Sequence, residues 1–84
     1  MDKATFEHEM NRAKTFQGLE TDRAEYWIGY QRGLRRAYHG LAFGTAEEHA
    51  KWLSLAGDAD AMRDQRGRGY RDGLAFGRRG EVAK

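Results

Sequence analysis

Small residues recur at four-residue spacing inside two segments whose apolar pattern otherwise predicts α-helix. The two rows are Gly29, Gly33 and Ala37, and Gly69, Gly73 and Gly77. A glycine inside a helix costs about 0.8–1.0 kcal/mol relative to alanine, so a short chain tolerates such rows only where bulk must be absent. Rows of small residues let two helix backbones approach closely, and this steric argument holds in water as well as in a membrane. We therefore predict that the two helices cross at these rows.

The two rows belong to a longer repeat with an offset of 40 residues. The segment Gly29–Leu34 recurs as Gly69–Leu74, and Thr5 aligns with Thr45 in the same register. One hypothesis is that the chain consists of two tandem helical hairpins packed about an approximate two-fold axis. The alternative is a coincidence in a short chain rich in glycine and arginine.

Apolar residues at three- and four-residue spacing, together with the absence of proline, predict helices and no strand. The predicted helices run from an N-cap at Thr5 to about Gly18, from Thr21 to His39, from a capping box at Thr45 to a boundary at Ala56–Asp58 that caps the next helix, and from about Ala59 to Gly77 or just beyond. The predicted buried stripe of the second helix is Trp27, Tyr30, Leu34 and Tyr38. We expect an all-α, compact bundle of about four helices that forms a single domain over residues 1–84, with residues 81–84 frayed. A break at Gly67–Gly69, followed by a flexible tail, is the alternative for the fourth helix.

Composition argues against several classes of function. Without cysteine there is no disulfide, no thiolate metal site and no cysteine nucleophile. His8, His39 and His49 lie on different segments without a second metal ligand at suitable spacing, and Ser54 is the only serine. We therefore expect no enzyme, no cofactor and no metal. No apolar run is long enough for a signal peptide or a membrane span, which favours a soluble protein of the cytoplasm with no membrane partner.

Positive charge is concentrated in two stretches, although the net charge is only +2. Residues 32–40 sum to +3 and residues 63–84 to +4, and 11 of the 15 basic residues are arginine. Arginine is suited to two-pronged pairing with carboxylates or phosphates. If the two glycine-bearing helices cross, their arginines merge into one patch beside aromatic rings. The predicted partner-binding residues are Arg32, Arg35, Arg36, Tyr38, His39, Arg68, Arg71, Arg78 and Arg79. The competing interpretation is that the arginines pair internally with Glu47, Glu48, Asp64 and Asp72.

In its length, its lack of cysteine and its all-helical pattern, the chain resembles the small accessory proteins of phages and mobile elements, including anti-CRISPR proteins. The resemblance implies a protein that occludes a site on a host defence machine, such as a CRISPR-Cas surveillance complex, without doing chemistry. It transfers no residue roles. The sequence thus favours a protein-binding inhibitor or adaptor. A nucleic-acid-binding accessory protein with an arginine patch is the second hypothesis, and an oligomerising module that forms a homodimer is the third.

Overall fold

Four α-helices make up most of the chain in the computed structural model, which describes the backbone of residues 1–82 and the side chains of residues 1–78. The helices are α1 (Lys3–Leu19), α2 (Ala24–His39), α3 (Ala46–Ser54) and α4 (Ala61–Val82). Within this part of the chain there is no strand. The radius of gyration of 12.4 Å is near the roughly 12 Å of a compact chain of this length. The predicted all-α bundle is therefore confirmed.

The helix ends follow from side-chain caps, and two of the predicted caps were wrong. Asp2 caps α1, because its carboxylate accepts a hydrogen bond from the Thr5 backbone N–H at 2.8 Å. The predicted Thr5 therefore lies inside the first turn. Asp60, not Asp58, caps α4 by accepting from the Met62 N–H at 2.9 Å. A carboxylate serves better than a hydroxyl here because it also meets the positive end of the helix dipole.

The cap of α3 is the predicted one. The Thr45 hydroxyl accepts from the Glu48 backbone N–H at 3.1 Å. The Glu48 carboxylate pairs instead with Arg32, at 3.3 Å. The threonine half of the expected capping box is thus formed, whereas the Glu48 carboxylate links α3 to α2.

Helices α2 and α4 meet backbone to backbone at the two glycine rows. A methyl group at Gly33 would overlap the carbonyl oxygen of Tyr70, and one at Gly73 would overlap the carbonyl oxygen of Tyr30. A helix backbone cannot yield as the end of a flexible side chain can, so only glycine fits at these positions. The predicted crossing is confirmed, and α2 and α4 share the most extensive contact in the molecule.

The contacts across this crossing are reciprocal. A methyl group at Gly29 would overlap the carbonyl oxygen of Arg66, and one at Gly69 would overlap that of Tyr26, which stands 40 residues before Arg66. The same exchange relates Gly33 and Gly73. Contact partners rise together along both helices, so α2 and α4 run parallel and are related by an approximate two-fold axis. This geometry supports the hypothesis of two tandem hairpins, because a chance likeness in sequence does not require reciprocal contacts.

The hydrophobic core lies between α1 and α2. It consists of the buried side chains of Met10, Ala13, Trp27, Tyr30 and Leu34. On α4, Tyr70 and Leu74 are buried against the crossing, whereas α3 contributes no buried residue. The predicted Tyr38 is only half-buried and stacks on Phe6, with ring centroids 4.3 Å apart.

Helix α4 continues without a break through Gly67–Gly69, so the alternative of a flexible tail after this segment was wrong. Gly67 is required by a close approach from α3, because a methyl group there would overlap the backbone nitrogen of Ala56. The helix extends to Val82, beyond the point where fraying was expected, and residues 83–84 lie outside the described residues.

Candidate protein-binding groove

The parallel α2–α4 pair places the negative ends of two helix dipoles side by side. The basic residues of α2, and the last arginines of α4 in the sequence, lie towards this end, where a positive charge interacts favourably with the last carbonyl groups. Arg36 and His39 lie in the last turn of α2, and Arg78 lies at the corresponding end of α4. Part of the clustering seen in the sequence is therefore explained by the fold itself.

Most of the arginines pair with carboxylates of the same chain. Seven do so among the residues whose side chains are described: Arg12 with Glu9, Arg23 with Glu20, Arg32 with Glu48, Arg63 with Asp58, Arg66 with Glu25, Arg68 with Asp64, and Arg71 with Asp72. Pairing within the chain thus accounts for seven of the eleven arginines. Of the four acidic residues predicted to take part, three do so, namely Glu48, Asp64 and Asp72. The arginines outside these pairs are the ones that remain candidates for binding.

Arg36 has a structural role. Its guanidinium donates to the carbonyl oxygens of Gly44, at 2.5 Å, and Thr45, at 3.3 Å, and so fixes the connection between α2 and α3. The neighbouring Arg32 lies over the rings of Trp52, at 4.7 Å from its centroid, and Phe43, at 5.2 Å. Both side chains therefore serve to hold α3 in place.

The structure divides the predicted arginine stripe of α2. Arg32 and Arg36 are directed towards α3 and the segment before it, whereas Arg35 and His39 line a groove beside α1. The stripe spans two neighbouring rows of the helix surface, at i, i+4 and i+3, i+7, and the flanking helices separate these rows. The predicted patch is therefore divided: Arg35 and His39 lie beside α1, whereas Arg36 and the α4 residue Arg78 are both close enough to His49 to lower its pKa.

The groove between α1 and the C-terminal half of α2 encloses about 400 Å³. Its lining comprises Phe6, Glu7, Met10, Asn11, Lys14, Arg35 and His39. We call it the α1–α2 groove. Lys14 and Arg35 have no ion pair or hydrogen bond with the described part of the chain. The ring of His39 contacts those of Phe6 and Tyr38. Two unpaired cations, Lys14 and Arg35, thus lie beside an apolar surface, with the Glu7 carboxylate in the same lining.

The remaining predicted site residues lie elsewhere. Arg68 pairs with Asp64 at 2.7 Å, and Arg71 lies 3.7 Å from Asp72. Arg78 has no carboxylate partner within the described residues and faces the His49–Tyr70 pair, where its charge helps to lower the pKa of His49. The side chain of Arg79 lies outside the described residues. Arg68, Arg71 and Arg78 do not line the α1–α2 groove.

Sequence reasoning missed a buried polar cluster next to the core. Glu9 is 3% exposed, accepts two hydrogen bonds from Arg12 at 2.7 Å each, and accepts another from the Tyr30 hydroxyl. The hydrogen bonds from Arg12 lower the pKa of Glu9, and the hydrogen bond from Tyr30 adds to this effect. Burial raises the pKa of Tyr30 well above its usual value. Arg12 neutralises the Glu9 carboxylate and the neutral Tyr30 hydroxyl donates a further hydrogen bond to it, which makes the cluster a structural feature.

The equivalent position in the second hairpin holds a different pair. Forty residues after Glu9 stands His49, whose Nδ1 lies 2.6 Å from the hydroxyl of Tyr70, the counterpart of Tyr30. Burial, with further contributions from Arg36 and Arg78, lowers the pKa of His49. The 40-residue repeat is the sequence signal that relates the two pairs, because in each pair the two residues lie 21 positions apart.

No group of three or more metal-ligating side chains comes together within the described residues. No helix of the described part is long and apolar enough to cross a membrane. No protein-family model, curated protein sequence or solved structure matches the chain. The candidate site therefore depends on the geometry of the groove alone.

Proposed function

We propose that the chain is a non-enzymatic protein-binding module, acting as an inhibitor or adaptor, that takes an acidic segment of a partner protein into the α1–α2 groove. One observation carries the proposal. Among the residues whose side chains the structure describes, Lys14 and Arg35 have no carboxylate partner, whereas seven other arginines do. A basic group left free beside an apolar surface is a natural contact for an acidic residue next to an apolar one.

The number and arrangement of the free cations favour protein over nucleic acid. Binding along a nucleic acid uses several phosphate contacts, and its affinity depends on the release of a counterion at each. The basic residues that line the groove are Lys14, Arg35 and His39, and the acidic Glu7 lies among them. The apolar contribution of Phe6 and Met10 suits a side chain of a partner protein better than a sugar-phosphate backbone.

For the identity of the partner, we propose a component of a bacterial defence machine, with a CRISPR-Cas surveillance complex as the first candidate. This choice follows the resemblance of the chain to small phage-encoded accessory proteins. Tyrosine, tryptophan and arginine commonly carry the binding energy of such interfaces. Occlusion of a site requires only a stable contact, for which an 84-residue chain is large enough.

A pull-down from bacterial lysate with nuclease treatment tests the proposal. The bait proteins are the wild type, the variant Lys14→Glu/Arg35→Glu and the control Arg71→Glu. Arg71 is 58% exposed and lies outside the groove, so its reversal matches the chemistry of the change without touching the site. Circular dichroism verifies that all three keep the fold.

The expected result is one stoichiometric protein partner that survives nuclease treatment, is lost with Lys14→Glu/Arg35→Glu and is retained with Arg71→Glu. Loss of every partner on nuclease treatment, with binding that weakens by about one power of salt concentration for each contact, would establish nucleic-acid binding instead. Retention of the protein partner by the groove variant would contradict the assignment of the groove.

A further inference from the structure

A second groove lies between α3 and the first turns of α4. It encloses about 340 Å³ and is lined by Lys51, Trp52, Leu55, Arg63 and Arg66. We call it the α3–α4 groove. Its volume falls in the range of about 300–1,000 Å³ that is typical of binding pockets. It shares no lining residue with the α1–α2 groove.

The internal repeat shows what occupies the corresponding place in the first hairpin. In the 40-residue register, Trp52, Arg63 and Arg66 correspond to the three residues Arg12, Arg23 and Tyr26. These three surround the indole of Trp27: the Tyr26 ring lies 5.0 Å from it, and the guanidinium groups of Arg12 and Arg23 lie 6.0 and 5.9 Å away. The first hairpin thus fills this position with its own aromatic ring.

The second hairpin has no such ring, because its counterpart of Trp27 is Gly67. The end of α3 approaches the backbone at Gly67, where a methyl group would overlap the nitrogen of Ala56. Ala56 is in turn the counterpart of Phe16, which stacks on Trp27 with centroids 5.1 Å apart. Two large rings are therefore replaced by two small residues. Leu55 and Arg66, which line the groove, are the chain neighbours of these two small residues.

Two polar groups in and beside this groove lack partners. The Trp52 indole N–H makes no hydrogen bond within the described residues, whereas the N–H of Trp27 donates to Glu20 at 2.7 Å. Since no polar side-chain atom of the described residues is buried without a partner, the N–H of Trp52 reaches solvent. Lys51 has no ion pair within the described residues, whereas Arg63 and Arg66 at the rim pair with Asp58 and Glu25. The groove therefore combines an aromatic wall, a free N–H donor and one unpaired cation.

We propose that the α3–α4 groove binds an aromatic side chain of the partner protein, within a segment whose neighbouring residues are acidic. The aromatic ring packs against Trp52, between residues whose counterparts in the first hairpin surround the Trp27 indole. The acidic neighbours meet the unpaired Lys51. This inference rests on the proposed function, because it assigns a second contact to the same protein partner.

The test is an NMR titration of the ¹⁵N-labelled full chain with the peptide acetyl-Asp-Asp-Trp-Asp-Asp-amide. We expect saturable shifts of the Trp52 indole N–H and of the Leu55 and Gly67 amides. A matched peptide with alanine in place of tryptophan is expected to bind at least about tenfold more weakly, because an aromatic anchor commonly contributes this much to the binding free energy of an interface.

Two charge-reversal variants locate the contact. Lys51→Glu, at an exposed position that does not pack in the core, is expected to lower the affinity for the peptide about fivefold. Arg71→Glu, a charge reversal at an exposed position outside both grooves, is expected to leave the affinity unchanged. Equal affinity for the two peptides, shifts confined to the α1–α2 groove, or no shifts at all would each overturn the inference. The proposed function would survive these outcomes if the lysate partner still depended on Lys14 and Arg35.

Discussion

The two hairpins of the molecule share one feature and differ in almost everything around it. In both, glycines of the long helix press against the backbone of the other long helix, with contacts exchanged 40 residues apart. In the first hairpin, α1 packs on α2 through buried Met10 and Ala13. In the second, α3 buries no residue and is held by polar and aromatic contacts. The comparison indicates that the glycine crossing carries the fold, and that the outer helices are free to diverge.

The divergence is clearest at the two central tyrosines. Tyr30 donates to Glu9, which is also bound by Arg12, so the first hairpin buries a compensated charge. Tyr70 pairs with His49, which has two arginines near it and no carboxylate bond. The first arrangement fixes α1 through a charged hydrogen-bond acceptor, whereas the second is a hydrogen bond to a histidine whose surroundings favour its neutral form. This difference leaves α3 as the more easily displaced helix.

The largest effect is expected from breaking the feature that both hairpins share. Gly33→Leu forces a side chain into the Tyr70 backbone, and we expect a loss of at least about 4 kcal/mol, which removes the cooperative fold of so small a domain. Gly18→Leu is the control, since nothing lies within 4 Å of a methyl group there; we expect no loss of stability. Urea unfolding monitored by circular dichroism measures both, and near-equal midpoints would contradict the crossing.

Truncation of the two tryptophans compares the hairpin cores. Trp27 is 7% exposed and touches three aromatic rings, so Trp27→Ala is expected to cost about 3–5 kcal/mol. Trp52 is only half-buried, so Trp52→Ala is expected to cost about 1–2 kcal/mol. Thermal and chemical unfolding of the two variants give the difference directly. Equal losses would show that the second hairpin is as firmly packed as the first.

Removing a single hydroxyl from each central tyrosine sharpens the comparison further. Tyr30→Phe deprives the buried Glu9 carboxylate of one donor, and the expected cost is about 1.5–3 kcal/mol, as for hydrogen bonds to charged groups. Tyr70→Phe removes a neutral hydrogen bond to His49, and the expected cost is about 0.5–1.5 kcal/mol. The reverse order of the two unfolding free energies would disprove the assigned roles.

The smallest expected effect is a dependence of stability on pH. Burial, Arg36 and Arg78 lower the pKa of His49 below its usual 6.5, so the unfolded chain binds this proton more readily than the folded one. The contribution of His49 is therefore complete above about pH 6.5 and declines as the pH falls below it. Urea midpoints at several pH values from 7.5 to 5 measure this decline. In His49→Gln the decline of the urea midpoint between pH 7.5 and 5 is expected to lose the part that His49 contributes. An unchanged decline would exclude His49 as its source.

The sequence alone was enough to predict the crossing of α2 and α4, because the steric demand of a close approach acts directly on Gly33 and Gly73. The α3 cap at Thr45 was equally accessible, since it depends on residues three apart. Local pairs such as Arg68 with Asp64, four residues apart on one helix, also follow from helical spacing.

The pairing of Arg36 with the Gly44 carbonyl was not predictable, because it depends on the path of a loop. The Glu9–Tyr30 bond depends on how α1 is placed on α2. The arginine stripe of α2 was divided for the same reason, since the sequence does not show where α1 and α3 lie around that helix. For the candidate site, Arg35 and His39 were named from the sequence, whereas Lys14 required the structure.

A nuclear Overhauser experiment on the wild-type chain tests the central claim most directly, because it detects protons of the two helix backbones that lie close together. The account predicts cross-peaks between the α-protons of Gly29 and Arg66, and reciprocal ones between Gly69 and Tyr26. Their absence, or cross-peaks that join Gly29 to the C-terminal turns of α4 as an antiparallel pair requires, would contradict it.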